Sequence, residues 1–92
     1  MSDVFAALAH PVRREILKLL RKRPMSAGEL AEHFTIAKPT MSGHFAVLKN
    51  ADLVTTERKG TTIVYRVNLS VVEEVLTALM TIAGTKGKGA DR

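Results

Sequence analysis

The sequence predicts a mainly α-helical domain with one small β-hairpin, in the order α-α-α-α-β-β-α. Apolar residues recur at i, i+3, i+4 and i+7 in several segments, and these positions share one face of a helix. Two capping boxes, Ser26 with Glu29 and Ser70 with Glu73, indicate helix starts. Between the last two helical segments, β-branched and aromatic residues dominate two short stretches on either side of Lys59-Gly60, which is typical of a hairpin.

The first predicted helix is short and carries apolar residues, and the second has a basic outer face. Ser2 can cap the first helix, and Pro11 opens the second. The second helix carries an apolar stripe and ends at Arg23, because the residue before a proline avoids the helical region. Its outer face carries a basic cluster of Arg13, Arg14 and Lys18. The sequence favours equally two interpretations of this cluster, contact with DNA phosphates and simple exposure to solvent.

Residues 26–50 predict two further helices joined by a tight turn. Ser26 starts the first of them, residues 34–36 form the break, and Pro39 suits the first turn of the second. One face of that second helix is buried, since Met41, Phe45 and Leu48 recur at i, i+4 and i+7. The opposite face is short-chained and free of acids, as expected of a helix that enters a DNA major groove; it carries Lys38, Pro39, Ser42, Gly43, Ala46 and Asn50.

The remaining elements complete a winged helix-turn-helix. Residues 54–58 and 61–67 are the predicted strands of the wing, and a last helix runs from Ser70 to about residue 83. We therefore expect one DNA-binding and dimerisation domain over residues 1–83. Residues 84–92, which include three basic residues, are expected to form a flexible basic tail.

Composition narrows the class of protein. A chain of 92 residues forms one small domain, and a hydrophobic content of 46% excludes a disordered chain. A net charge of +5 points to a polyanionic partner, although solubility alone is the alternative reading of such a charge. No cysteine is present, so thiolate metal sites are excluded. No signal peptide or membrane-spanning stretch is evident, so we expect a cytoplasmic protein without a membrane partner.

Several motifs in order resemble those of the ArsR family of small dimeric bacterial repressors, and within it the SdpR-like autorepressor group. Residues 9–17 match the opening "DPTRxxIL" segment, with His10 where Asp is usual, and residues 38–48 match the recognition segment "SxxSxHLxxL". Leu30-Ala31 fits the first helix of the helix-turn-helix, and the wing matches at Leu53-Val54 and at Gly60 followed by Tyr65. The resemblance covers roughly residues 3–82.

Two positions depart from the family pattern. The family often has a capping Ser where this chain has Ala37, which caps poorly, by roughly 1 kcal/mol. Gly43 stands where a long polar or basic residue is usual, so no side chain contacts DNA from position 43. A glycine inside a helix costs about 1 kcal/mol relative to alanine. Its benefit would be a close approach of the helix to DNA.

Candidate DNA contacts follow from the recognition segment and the wing tip. Lys38, Thr40 and Ser42 are candidates for base readout, with local packing as the alternative for Thr40. His44 flanks the buried stripe, so packing, with or without a phosphate hydrogen bond, is favoured over base reading. A solvated hairpin is the alternative for the wing tip. The full predicted set is Lys38, Pro39, Thr40, Ser42, Gly43, His44, Arg58, Lys59 and Thr61.

The first and last helices carry more apolar residues than one small core needs. The resemblance implies a dimer through these helices, and completion of the monomer core is the alternative. A dimer would present two recognition helices about 34 Å apart to a palindromic operator. The expected interface residues are Phe5, Leu8, Val72, Val75, Leu76 and Leu79.

No effector site is visible in the sequence. The three histidines, His10, His33 and His44, lie on different elements, and no nucleophile–base pair stands out, so we expect no metal, no cofactor and no catalysis. The leading hypothesis is a sequence-specific repressor of double-stranded operator DNA that regulates its own operon through its concentration. Control by a protein partner that sequesters the dimer, or by an apolar ligand between the terminal helices, is a further alternative. The alternative functions are a winged-helix protein–protein module and a non-specific nucleic-acid binder.

Overall fold

The computed structural model describes residues 3–84, which form five helices and a small antiparallel sheet. The mainly helical class with a β-hairpin is confirmed. The predicted tail, residues 84–92, lies outside the described residues except for Gly84, which ends the last helix with φ 79°. The helices are α1 (Val4–Leu8), α2 (Pro11–Lys22), α3 (Ala27–Ala31), α4 (Lys38–Asn50) and α5 (Leu69–Ala83), and the strands are β1 (Met25–Ser26), β2 (Val54–Lys59) and β3 (Thr62–Val67).

Two of the three predicted helix caps differ in the structure. The capping box of α3 is confirmed: Glu29 N donates to Ser26 Oγ at 3.1 Å, and Ser26 N donates to Glu29 Oε1 at 2.9 Å. Asp3 rather than Ser2 caps α1, accepting at Oδ1 from two helix amides. The box predicted at Ser70 is wrong, because α5 already begins at Leu69. Asn68 N donates to the carbonyl of Leu53 at 2.9 Å, which holds the chain in place as it leaves β3.

The strands form one sheet in the order β1-β3-β2. The predicted hairpin is confirmed, with Lys59 opposite Thr62 and Gly60 at φ 63°, a backbone conformation that glycine adopts without strain. The sequence did not predict β1, in which Met25 pairs with Tyr65. A two-residue strand has no periodicity of its own, since it is defined only by its partner.

The core lies between the helices and the inner face of the sheet. Residues of the predicted apolar stripes of α2 and α4 are buried there, and Leu30 and Leu53 join them from α3 and from the segment before β2. The rings of Phe45 and Tyr65 lie 5.2 Å apart, so α4 packs directly onto β3. This packing fixes which face of α4 remains outside. The largest fully buried side chains are Ile16, Leu30, Met41, Leu48 and Leu53.

Candidate nucleic-acid interface

Helix α4 exposes the face that the sequence predicts for DNA. It contains no acidic residue, and Pro39 in its first turn needs no amide partner. Ala37 precedes the helix without a side-chain cap, as expected. The helix therefore presents its side chains to solvent without a carboxylate that would repel phosphate. The exposed residues of this face are Lys38, Pro39, Thr40, Ser42, Gly43, Ala46 and Asn50.

Small residues keep the space beside this face open. A Cβ atom built at Gly43 would find no heavy atom of the protein within 4 Å. A groove of about 240 Å³ separates α3 from α4; Ala27, Gly28 and Ala31 line one side, and Lys38 and Ser42 lie on the other. Two of the predicted base-reading residues therefore share one accessible groove.

The wing carries exposed cations. Arg58, Lys59 and Thr61 are exposed around Gly60. The nearby carboxylate of Glu57 is neutralised on the same hairpin, because Arg66 donates to its Oε1 from Nη2 at 3.1 Å. Within residues 3–84 the ion pairs are this one and Arg23–Glu29, so the two tip cations are available to an anion.

His44 turns into the protein rather than towards the exposed face. Its residue is 8% exposed, and its ring lies 4.5 Å from that of His10. Burial, reinforced by the charges of His10 and Arg13, lowers the pKa of His44. The structure thus separates the His44 side chain from the other predicted DNA contacts and places it in the packed interior that the sequence favours.

Arg13 fits neither interpretation that the sequence offered for its cluster. Its guanidinium is half-buried and donates to the carbonyls of Ala6 and Ala7 and to His44 Nδ1. Arg14 donates to the carbonyl of Leu8 at 2.9 Å. Lys18, the third member of the cluster, is exposed. Backbone carbonyl acceptors have no signature in a sequence, so periodicity could not reveal these contacts.

The terminal helices expose a broad apolar surface. Phe5, Leu76 and Leu79 are 48%, 55% and 47% exposed, which agrees with their predicted place on a surface. Val75, in contrast, is only 8% exposed and packs inside the protomer, because it lies on the inner side of α5. Leu8 and Val72 are half-buried against the core. Two further exposed residues of this surface, Leu69 and Ile82, were not among the predicted interface residues.

No helix within residues 3–84 combines the length and the apolar character needed to cross a membrane. In that same part of the chain, no three histidine, aspartate or glutamate side chains come together as a metal site.

The α3–turn–α4 unit followed by the basic β2–β3 hairpin defines a winged helix-turn-helix DNA-binding domain. Residues 8–57 match the family model described as "Helix-turn-helix domain". The transcriptional repressor SdpR of Bacillus subtilis (strain 168) is 41% identical over 80 residues, which cover 87% of this chain and 89% of that protein. The chain belongs to the ArsR family of winged helix-turn-helix repressors, as the motifs predict.

Solved structures agree with this assignment. An ArsR-like transcriptional regulator from Rhodococcus sp. RHA1 has a TM-score of 0.77 at 30% identity, covering 88% of this chain and 76% of that one. The transcriptional repressor BigR from Xylella fastidiosa has a TM-score of 0.69 at 33% identity, covering 86% of this chain and 81% of that one. The same arrangement of helices and wing is therefore shared across the family.

Proposed function

We propose that this protein is a sequence-specific, dimeric transcriptional repressor that reads operator DNA with one α4 helix from each protomer. The observation that carries the proposal is the exposed, acid-free face of α4, which the buried stripe on its opposite side holds outward. A helix of this kind fits the DNA major groove, where the edges of all four base pairs are distinguishable. Two relatives of this chain are named as transcriptional repressors, which supports repression rather than activation of transcription.

Each predicted contact other than the buried His44 has a chemical role in this proposal. Lys38 can donate to guanine acceptors, and the hydroxyls of Thr40 and Ser42 can serve several bases. Pro39 and Gly43 leave room for the bases to approach the helix. In the wing, Arg58, Lys59 and Thr61 contact the DNA backbone or the minor groove. They therefore contribute to affinity more than to sequence discrimination.

Dimerisation through α1 and α5 is the second part of the proposal. Five of the six large apolar residues exposed within residues 3–84 lie on these two helices. Burying such surface against a second copy is favourable by about 25 cal/mol per Å². The proposed interface comprises Phe5, Leu8, Leu69, Val72, Leu76, Leu79 and Ile82, with Val75 supporting it from beneath. A two-fold axis there would present both α4 helices to half-sites about 34 Å apart.

Regulation in this proposal depends on the concentration of the protein. A repressor that binds the DNA upstream of its own gene lowers its own synthesis until occupancy and supply balance. The proposed site of action is the cytoplasm, and neither a metal ion nor a cofactor takes part. Addition of a chelator or of Zn²⁺ is therefore expected to leave operator affinity unchanged, and a change of tenfold or more, about 1.4 kcal/mol, would contradict this part.

The test compares DNA from upstream of the protein's own gene with a scrambled duplex of equal length at one salt concentration. We expect the native sequence to bind roughly 10³-fold more tightly or better, as specific regulators do. The double variant Lys38→Ala with Ser42→Ala should lose this preference more than it loses total binding. Lys22→Ala, which removes an exposed cation from α2, is the matched control and should keep the preference. Equal affinity of the wild-type protein for both duplexes would refute sequence-specific repression.

A further inference from the structure

One guanidinium joins three elements of the fold. Arg13, on α2, donates from Nε to the carbonyl of Ala7 at 2.7 Å and from Nη2 to the carbonyl of Ala6 at 3.2 Å. These carbonyls belong to the last turn of α1, where the carbonyl of Ala6 also accepts from Ala9 N at 3.1 Å. The remaining nitrogen, Nη1, lies 3.1 Å from Nδ1 of His44 on α4. Arg13 therefore connects the helix proposed for dimerisation with the helix proposed to read DNA.

This connection is stiff. The guanidinium is a planar fork whose donors point in fixed directions, so three simultaneous bonds determine its position. A shift of α4 by about 1 Å would lengthen the bond to His44 beyond hydrogen-bonding range. His44 is buried beside the core stripe of α4, so its ring moves only together with the helix.

We propose that Arg13 is a positioning residue for DNA reading, and that its hydrogen bond to His44 makes this positioning sensitive to acid. The inference rests on the proposed function, because it assumes that α4 reads the operator. It adds a device that neither the family assignment nor the exposed face of α4 contains, namely a titratable link behind the recognition helix.

The acid sensitivity follows from the direction of the hydrogen bonds. A guanidinium only donates, so His44 Nδ1 must accept and the proton of the neutral ring is on Nε2. His10 Nδ1 likewise accepts, from Val12 N at 3.1 Å, and so caps α2. Protonation of the His44 ring places a hydrogen on Nδ1, where it opposes the hydrogen of the Arg13 donor. Acid therefore removes the link from Arg13 to α4.

The charges around His44 act in the same direction. Arg13 and His10, both from the α2 end of the contact, are the charged or titratable side chains that influence it within residues 3–84. From α1 it is backbone carbonyls that face Arg13, and the Asp3 carboxylate, which lines the groove beside Arg13, is bound to the amides of Phe5 and Ala6. No described carboxylate is placed to stabilise the protonated ring. Burial also disfavours the charged form of the His44 ring and so lowers its pKa.

The sign of the pH effect distinguishes this device from general electrostatics. Protonating histidines raises the positive charge of the protein, and added positive charge ordinarily strengthens binding to DNA. Loss of the link weakens binding instead. For each proton taken up as the link breaks, the steepest expected change is about tenfold in affinity per pH unit.

The experiment measures operator affinity of the full chain from about pH 7.5 to about pH 5.5 at constant ionic strength, a range in which histidine is the side chain that titrates. Because the pKa of His44 is lowered, most of its protonation falls at the acid end of this range, and we expect a loss of several-fold, at most about tenfold. His44→Asn should flatten the profile, because the amide oxygen can accept from Arg13 and does not titrate. His33→Asn, which changes the exposed histidine, is the matched control and should keep the full slope.

A second pair of variants tests positioning apart from folding. Arg13→Lys retains the charge but cannot make the three-way contact, so it should weaken operator binding while helical circular dichroism persists, and its pH profile should be shallow. Affinity that rises or stays constant in acid, or a slope that survives in His44→Asn, would overturn the inference. A protein that prefers no DNA sequence at any pH would instead refute the proposed function.

Discussion

The substitution Gly43→Ala separates the stability of the protein from its DNA binding. Gly43 is exposed in the interior of α4, and a Cβ atom there would meet no heavy atom within 4 Å. The folded protein therefore accommodates alanine without strain. Alanine is favoured over glycine inside a helix by about 0.8–1.0 kcal/mol, so the variant should be more stable by that amount.

Thermal unfolding followed by circular dichroism measures this gain. For a domain of this size, about 1 kcal/mol corresponds to an increase in Tm of roughly 4–8 °C. Operator affinity should move in the opposite direction and fall by about tenfold, or 1.4 kcal/mol, because the added methyl group occupies the space into which the bases are proposed to fit. A more stable protein that binds less well cannot be explained by partial unfolding.

The control and the refuting results are equally specific. Thr77→Ala on the exposed side of α5 also raises helix propensity, and it should stabilise the protein slightly without changing operator affinity. A Gly43→Ala protein that is less stable than wild type would show that the backbone at this position needs glycine. A stabilised variant with unchanged affinity would show that Gly43 does not lie at a close approach to DNA.

Three further predictions concern the cap, the proposed interface and the wing. Ser26→Ala removes the capping box of α3 and should lower the free energy of unfolding in urea by about 1 kcal/mol; an unchanged midpoint would contradict the cap. Leu76 is 55% exposed, and Leu76→Glu should yield folded monomers in sedimentation experiments and weaker operator binding. An intact dimer would show that the interface does not include Leu76. Arg58→Ala with Lys59→Ala should weaken binding to all duplexes similarly. It should also reduce the slope of log affinity against log salt concentration by about 0.9 per lost phosphate contact. An unchanged slope would show that the wing tip is solvated and does not contact DNA.

Local patterns predicted the parts of the fold that depend on local physics. The stripe of α4 was visible because Met41, Phe45 and Leu48 recur at helical spacing, and their burial is confirmed. The capping box at Ser26 was visible because both of its hydrogen bonds join residues three apart in sequence. Such features require no knowledge of distant residues.

The features that were missed depend on distant residues. The sequence carries a capping-box pattern at Ser70, but the hydrogen bond from Asn68 to Leu53 sets the start of α5 earlier. Strand β1 exists because Met25 and Ser26 meet β3. The contacts of Arg13 end on carbonyl oxygens, which every residue has, so no side-chain pattern identifies them.

The apolar residues of α5 also show what a sequence pattern cannot predict, here within a single helix. Its sequence is apolar over more than one face, so spacing alone cannot divide core residues from surface residues. The structure makes that division: Val75 is 8% exposed, whereas Ile82 is 78% exposed. The candidate DNA-reading face was easier to predict, because the stripe of α4 is narrow and leaves only one face outside.

The most direct test of the central claim is methylation interference on the DNA upstream of the protein's own gene. Methylation of guanine N7 blocks the major groove, where α4 is proposed to lie. We expect interference at two symmetrical groups of guanines whose centres lie about 10–10.5 base pairs apart, or at a multiple of that spacing. Bound complexes that tolerate methylation at every guanine, or that are disturbed only by minor-groove modification, would contradict the account.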